Sequence, residues 1–205
     1  MLFHAGNDAA PDLTPAHVRD RLAGRAARDG AHAAALTPAA VLLPLVTHRA
    51  GMTVLFTERT AHLADHAGQV SFPGGRVEPG DRDAVAAALR ETEEEIGLAA
   101  KSVEVVGSLD VFDTSTGFAV TPVVGLVAPP LTLTLDAFEV AEAFEAPLGF
   151  LFDPANRRRE SRMHRGRRRE YWVIDYQGHT IWGVTARIVV DLCAALDACD
   201  AADRR

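Results

Sequence analysis

Lysine is nearly missing from this chain: Lys101 is the only one, and every other basic side chain apart from histidine is arginine. That bias carries no functional meaning by itself. Cysteine is also scarce, with Cys193 and Cys199 six apart in an alanine-rich C-terminal stretch and no partner His or Cys at ligand spacing. Six residues is a poor helical pairing, so packed or idle thiols are expected. No stretch of about 18 uninterrupted apolar residues occurs. The N-terminus, MLFHAGNDAA, has neither a basic start nor a long apolar run. A cytoplasmic protein without a membrane partner is therefore expected. Positive charge is short overall, with a formal net charge of −7, which speaks against sequence-independent nucleic-acid binding as the main task. No internal repeat is evident.

What remains is ordinary globular composition: 205 residues, 48% hydrophobic and 24% charged, enough for one domain with a real core. Oligomeric state, monomer or homodimer, is not legible. Residues 1–12 look loosely attached. Thr14 before Pro15 gives an N-cap and a first helical proline, and Val18, Leu22 and Ala26 recur at helical spacing to about Arg28. Val41–Val46 and Met52–Phe56 read as two strands joined by a polar turn, Arg59–Gly68 as a surface loop, and Gln69–Phe72 as a strand. Val103–Val106 and Ser108–Phe112 suggest a strand pair or one strand bent around Gly107, and a further strand is expected over Phe118–Val127, where Pro122 marks a bulge or an edge. Leu131–Leu135 alternates like a half-buried strand. Glu139–Leu148 is acidic and apolar, with Pro147 ending any helical turn there. Eight arginines fall between Arg157 and Arg169, too polar a run for core, and a solvated loop is expected. Gln177-Gly178 reads as a hairpin turn between Tyr171–Tyr176 and His179–Trp182, and a last helix is expected over Gly183–Ala198.

The chemistry concentrates in Gly74–Leu98, GGRVEPGDRDAVAAALRETEEEIGL. Asp81 or Asp83 can cap a helix that Gly97 ends. Glu91, Glu94 and Glu95 stand at i, i+3 and i+4, so three carboxylates share one face, with Val85, Leu89, Thr92 and Ile96 on the other. Each like-charged pair costs an isolated helix about 0.2–0.5 kcal/mol. A hard divalent cation bound through oxygen is a natural counterweight.

This stretch resembles the signature box of the Nudix hydrolases: Gly, five residues, Glu, seven residues, then Arg-Glu-aliphatic-any-Glu-Glu-any-Gly-aliphatic. Arg90, Glu91, Glu94, Glu95, Gly97 and Leu98 match the second half position by position. Thr92 stands where an aliphatic residue is usual, and the interval from Gly75 to Arg90 is one residue longer, with Asp81 in the place of the loop Glu. The resemblance implies an α+β fold, a Nudix-type α/β/α sandwich with a mixed central sheet, in a single domain over residues 34–200 behind a tail and outer helix at 1–33. It implies Mg²⁺ or Mn²⁺ as cofactor and hydrolysis of a diphosphate linked to another group. Glu91, Glu94 and Glu95 would ligate metal or activate water, a carbonyl of Gly74-Gly75 would complete the site, and Arg90 would orient Glu91. A further acid from outside the box is implied, with Glu139 and Glu142 the candidates.

Leu55, Phe56, Thr57, Arg59, Thr60 and Ala61, then Gly68, Phe72, Pro73, Gly74 and Gly75, resemble the coenzyme A diphosphatase motif of that family, LLTxRSA through to FPGG. Phe138–Leu148 and Ile181–Ala186 are similar to the same branch. One motif arginine is replaced by Ala64. The resemblance implies a small-molecule substrate, coenzyme A or an acylated or oxidised form, contacted by Arg59, Thr57, Gly68 and Phe72. Coenzyme A carries a separate ribose phosphate, for which Arg59 or the run Arg157–Arg169 offers guanidinium. His62, His66, His164 and His179 more often satisfy local hydrogen bonds, and Trp182 or Tyr176 offers a face for adenine. Other substrates, ADP-ribose, a dinucleotide or an oxidised nucleotide, and a non-catalytic nucleotide-sensing module are the alternatives.

Overall fold

The computed structural model describes residues 13–28, 35–62, 68–164 and 167–197. β1 (Thr37–His48) and β2 (Gly51–Arg59) form the hairpin that their apolar runs predict, with Leu45 opposite Val54 and His48 opposite Gly51. β1 is buried almost continuously because both its faces are covered, so the usual alternation of apolar and polar residues is lost. Its side chains still alternate in destination: Ala40, Leu42 and Val46 enter one apolar cluster, Leu43 and Leu45 the other.

β7 (Phe118–Val127) runs parallel to β1 from Phe118 opposite Thr37 to Val127 opposite Val46. β5 (Val103–Ser108) and β6 (Phe112–Asp113) pair with the far edge of β7. β4 (Gly74–Arg76) pairs with the start of β1, while β3 (Val70–Ser71) and β8 (Val140–Pro147) pair with β2. All of these junctions except β1 with β7 are antiparallel, which makes the eight-stranded sheet mixed. α2 (Ala84–Ile96) covers one face. α1 (Pro15–Leu22), α3 (Leu148–Phe152) and α4 (Gly183–Ala195) cover the other. The architecture is therefore the expected α+β arrangement of helices on both faces of a mixed sheet. A second, three-stranded antiparallel sheet holds β9 (Arg157–His164), β10 (Arg167–Tyr176) and β11 (His179–Trp182). Phe56, fully buried, stacks on Phe72 at 5.0 Å and Phe144 at 5.5 Å, tying β2, the glycine loop and β8 together. Truncating it to alanine would cost about 3–5 kcal/mol.

Several elements differ from the sequence expectation. α1 stops at Leu22 rather than near Arg28, because the carbonyls of Arg25 and Arg28 accept from Ser108 and Val111 N–H groups instead of continuing a helix. Pro122 marks neither an edge nor a bulge in β7. Its carbonyl accepts from Leu109 N–H at 2.9 Å, so its missing N–H faces the gap between β5 and β6, where no ladder bond is forgone. Leu131–Leu135 is not a strand: Thr134 N–H and Asp136 N–H donate to the Ile96 and Glu95 carbonyls at the end of α2, both at 2.9 Å, while its leucines pack under that helix. Glu139–Leu148 holds no helical turn before Pro147; Val140–Pro147 is strand β8, and the helix starts after it. The arginine run is not a loop but the body of β9 and the start of β10, paired from Arg157 opposite Ile174 to His164 opposite Arg167. Its apolar support comes from the second strand, where Val173 and Ile174 are buried. Cys193 is buried, as expected, but disulfide-bonded rather than idle. Cys199 lies outside the described residues. So do the tail 1–12, Ala64 and His66. No described helix is long and apolar enough to cross a membrane.

Candidate active site

α2 starts where Asp83 accepts from Ala86 N–H at 2.8 Å and ends at Gly97, at φ +70°, whose N–H returns to Glu93. Of the apolar face expected from spacing, Thr92 and Ile96 are inside, while Val85 and Leu89 are half-buried and Ala87 and Ala88 take the buried positions. Thr92 is tolerated there because its hydroxyl donates to the Ala88 carbonyl at 2.6 Å. Glu95 is on the buried side too, only 7% exposed, while Glu91 is half-buried and the Glu94 side chain is 60% exposed.

Two glycines permit this placement. A Cβ on Gly74 would lie 2.3 Å from the Ala40 carbonyl oxygen, so β4 can approach β1 only without a side chain. A Cβ on Gly75 would lie 2.4–2.6 Å from the Glu91 carboxyl group. That carboxylate therefore rests on bare backbone, while Gly74 N–H points at Glu95 Oε2 from 3.4 Å. The expected juxtaposition of glycine pair and acids is present.

Arg90 is held by Asp81, the residue in the place of the loop Glu, through Nε and Nη2, both at 3.0 Å. It also donates to the Arg76 carbonyl and contacts Glu91 and Glu94 through Nη1, each at 3.0 Å. The guanidinium holds Asp81 below the usual carboxylate range, and Asp81 in turn raises the already high Arg90 value. Burial pushes Glu91 up, opposed by Arg90. Glu95 goes to about 8, chiefly through burial and then through Glu139, with Gly74 N–H and Arg59 opposing and Glu91 adding to the rise. Glu139 also raises Glu91, so the two residues share its field.

The two outside acids part company. Glu139 belongs with Glu95, whereas Glu142 stands opposite Glu58 on β2, and both gather with His179 with ligand atoms inside 4.8 Å. His179 Nδ1 is 2.9 Å from Glu58, and its ring stacks on Phe144 at 3.8 Å. Along β2, Leu55 packs on the α2 side and Phe56 on the other, so Glu58 follows Phe56 while Arg59 turns toward Glu95. Glu58 had no sequence signal, since its grouping depends on cross-strand register.

Of the residues expected at substrate, Arg59 and Phe72 line a cavity of about 670 Å³, as do Gly74 and Gly75. Arg59 Nε is buried with no hydrogen-bond partner among the described residues. Phe72 is also core, 4% exposed. Thr57 is buried instead, its hydroxyl within 3.1 Å of Ser71 Oγ. Gly68 is exposed and closes the preceding loop, donating to the Arg59 carbonyl at 3.1 Å. Trp182 lines the cavity half-buried, and Tyr176 packs on Phe150 at 4.9 Å.

Residues 36–144 match the NUDIX domain family model. Uncharacterized Nudix hydrolases named NudL are similar: that of Citrobacter koseri is 44% identical over 154 residues, 75% of this chain and 80% of its own. That of Photorhabdus laumondii is 42% identical over 154 residues, covering 75% and 82%. Among solved structures, a MutT/nudix family protein from Enterococcus faecalis aligns with TM-score 0.50 at 16% identity, over 79% of this chain and 62% of that one, a likeness of fold alone.

Proposed function

This chain belongs to the Nudix hydrolase family, and on that premise we propose that it cleaves the diphosphate of coenzyme A, or of its acylated or oxidised forms. The products are 4′-phosphopantetheine and adenosine 3′,5′-bisphosphate. Members of the family generally use divalent metal ions, and the residues present suit one. Glu91, Glu95 and Glu139 are hard oxygen donors gathered together, and burial disfavours the charge of Glu91 and Glu95. Gly75 leaves open the space that a Cβ would fill against Glu91. Glu91, Glu94, Glu95 and Glu139, with a carbonyl of Gly74 or Gly75, would hold Mg²⁺ or Mn²⁺. When bound, such an ion neutralises diphosphate charge and lowers the pKa of water.

The chain's own groups do the rest. Asp81 fixes Arg90, and Arg90 fixes Glu91 against the glycine backbone. One carboxylate of the cluster takes the proton as water attacks phosphorus, and the P–O–P bond opposite breaks with its electron pair on the departing phosphate. The observation that carries the reading is Arg59, the arginine of the diphosphatase motif, whose buried Nε–H lacks a partner among the described residues and which lines the cavity with Gly74 and Gly75. A buried donor left unpaired costs about 1–3 kcal/mol, and a phosphate oxygen would relieve it.

Ala64, in place of the second motif arginine, favours a second reading in which the substrate is another nucleoside diphosphate derivative such as ADP-ribose. A sensor without turnover is disfavoured by the intact Arg90, Glu91, Glu94 and Glu95. Incubation with Mg²⁺ or Mn²⁺ and a panel of diphosphates, with products identified by mass, separates the three. Release of 4′-phosphopantetheine from coenzyme A is expected. Cleavage of ADP-ribose with coenzyme A untouched would overturn the substrate assignment, and no turnover of any member would favour the sensor.

A further inference from the structure

The β9–β10 hairpin is dense in arginine, yet among the described side chains most guanidiniums are occupied. Arg158 contacts Glu160 and Asp175, Arg168 donates to Ser161, and Arg159 sits 4.5 Å above the Trp172 ring with Glu170 3.6 Å away. Arg162 and Arg169 differ. They stand directly opposite each other on adjacent strands, both exposed, and neither has a carboxylate partner among the described residues. Like charges directly opposite destabilise a strand pair. Both line the cavity that holds Gly74, Gly75 and Arg59. The Arg162 guanidinium lies 5.4 Å from the centre of the Trp182 ring, which meets Tyr171 edge-on at 5.8 Å. A chain of formal net charge −7 thus brings Arg162 and Arg169 together with Arg59 and Arg76 in one cleft, where the acids are Asp113 and Glu170, and a cleft richer in one sign of charge draws ligand of the other.

We propose that Arg162 and Arg169 form a clamp for a second phosphate of the substrate, a monoester remote from the diphosphate that is cut, with Trp182 and Tyr171 as the aromatic surface for the attached base. This rests on the coenzyme A reading and sharpens it, by naming which residues tell a nucleoside bisphosphate from a monophosphate. Two planar guanidiniums across a strand pair can each offer paired N–H donors to one phosphate. The anion also removes the repulsion between them.

The test is titration calorimetry in Mg²⁺ with adenosine 3′,5′-bisphosphate and adenosine 5′-monophosphate, on the intact chain and on Arg162→Ala, Arg169→Ala and Arg158→Ala. The intact chain is expected to bind the bisphosphate at least about tenfold more tightly, equivalent to about 1.4 kcal/mol. Arg162→Ala and Arg169→Ala are expected to lose most of that preference and Arg158→Ala to keep it, with melting temperatures checked so that misfolding is not mistaken for lost contact. Equal binding of both nucleotides by the intact chain, or a preference that survives both cavity substitutions, would overturn the clamp. Coenzyme A turnover is scored separately. A clamp that discriminates in a protein unable to cut coenzyme A sinks only the substrate reading; cleavage of coenzyme A without phosphate discrimination sinks only the clamp.

Discussion

Adding one methyl group at either of two neighbouring glycines should have opposite consequences. In Gly75→Ala the new Cβ meets only the end of a side chain, the Glu91 carboxyl group at 2.4–2.6 Å. Gly75 is not in the left-handed region, so alanine fits its backbone and reduces the freedom of the unfolded chain, worth about 0.4–1 kcal/mol. The carboxylate must move roughly an ångström to restore contact distance, and a shift of about 1 Å in a catalytic group can cost about 10²-fold in rate. In Gly74→Ala the Cβ meets backbone, Ala40 O at 2.3 Å and Val41 Cα at 2.6 Å, at φ +151°. Overpacking costs about 1–3 kcal/mol and the disfavoured dihedral a further 1–3 or so. At about 2–4 °C per kcal/mol for a chain of this size, a total of about 2–6 kcal/mol should lower the melting temperature by about 4–24 °C. Thermal denaturation by circular dichroism, paired with metal-dependent product release, reads both axes. Gly75→Ala is expected to melt within a few degrees of the parent while losing about two orders of magnitude in turnover. Parental turnover in Gly75→Ala would refute the placement of Glu91 in the chemistry, and equal melting of both variants would refute the packing distinction.

Glu95 makes the metal-free protein sensitive to pH. Its folded value, about 8 against an ordinary 4.5, means that the native state binds the proton more tightly than the unfolded chain. The stability it contributes is complete below about pH 4.5 and is lost as pH rises toward 8. In chelator, Glu95→Gln should flatten that decline in melting temperature; an equal decline in both proteins refutes the assignment. Mg²⁺ should stabilise the parent more at pH 8 than at pH 5, by about RT ln(1 + [L]/Kd), and chelator should abolish turnover, so persistent activity in excess EDTA would contradict metal dependence. Glu94→Gln and Glu95→Gln should each lower turnover by orders of magnitude with the fold intact, and near-parental rates in both would rule out their roles. Asp81→Asn removes the charge that anchors Arg90, so product release should fall while far-UV circular dichroism is unchanged; an unaltered rate would show that Arg90 needs no anchor.

What was legible in the sequence was local. α2 could be placed because the Asp83 cap, the Gly97 stop and the helical spacing of Thr92 and Ile96 act within a few residues of one another, whereas Val85 and Leu89 of the expected face are only half-buried and Glu95 goes inside. The glycine pair could be set beside the acids because one short segment joins them. Glu139 and Glu142 could not be told apart, since Glu139 sits in the turn just before β8 and Glu142 within it, and the register shift of the β2–β8 pair at Glu58/Arg59 falls between them. Leu131–Leu135 alternates like a strand, yet its backbone donors are spent on the end of a helix. The arginine hairpin failed to show for a related reason. Its first strand has almost no apolar residues of its own, and the burial that supports it belongs to Val173 and Ile174 across the pair.

The single hydrogen bond from Asp136 N–H to the Glu95 carbonyl, 2.9 Å long, has a mechanical consequence. It pins the chain just three residues ahead of Glu139 to the very residue whose carboxylate Glu139 must face. The spacing between two acids on separate elements is thus set from one side by a short tether and from the other by Thr60 N–H, which donates to the Glu139 carbonyl at 3.0 Å. Lengthening that tether by one residue would move Glu139 relative to the start of β8 and unmatch the pair.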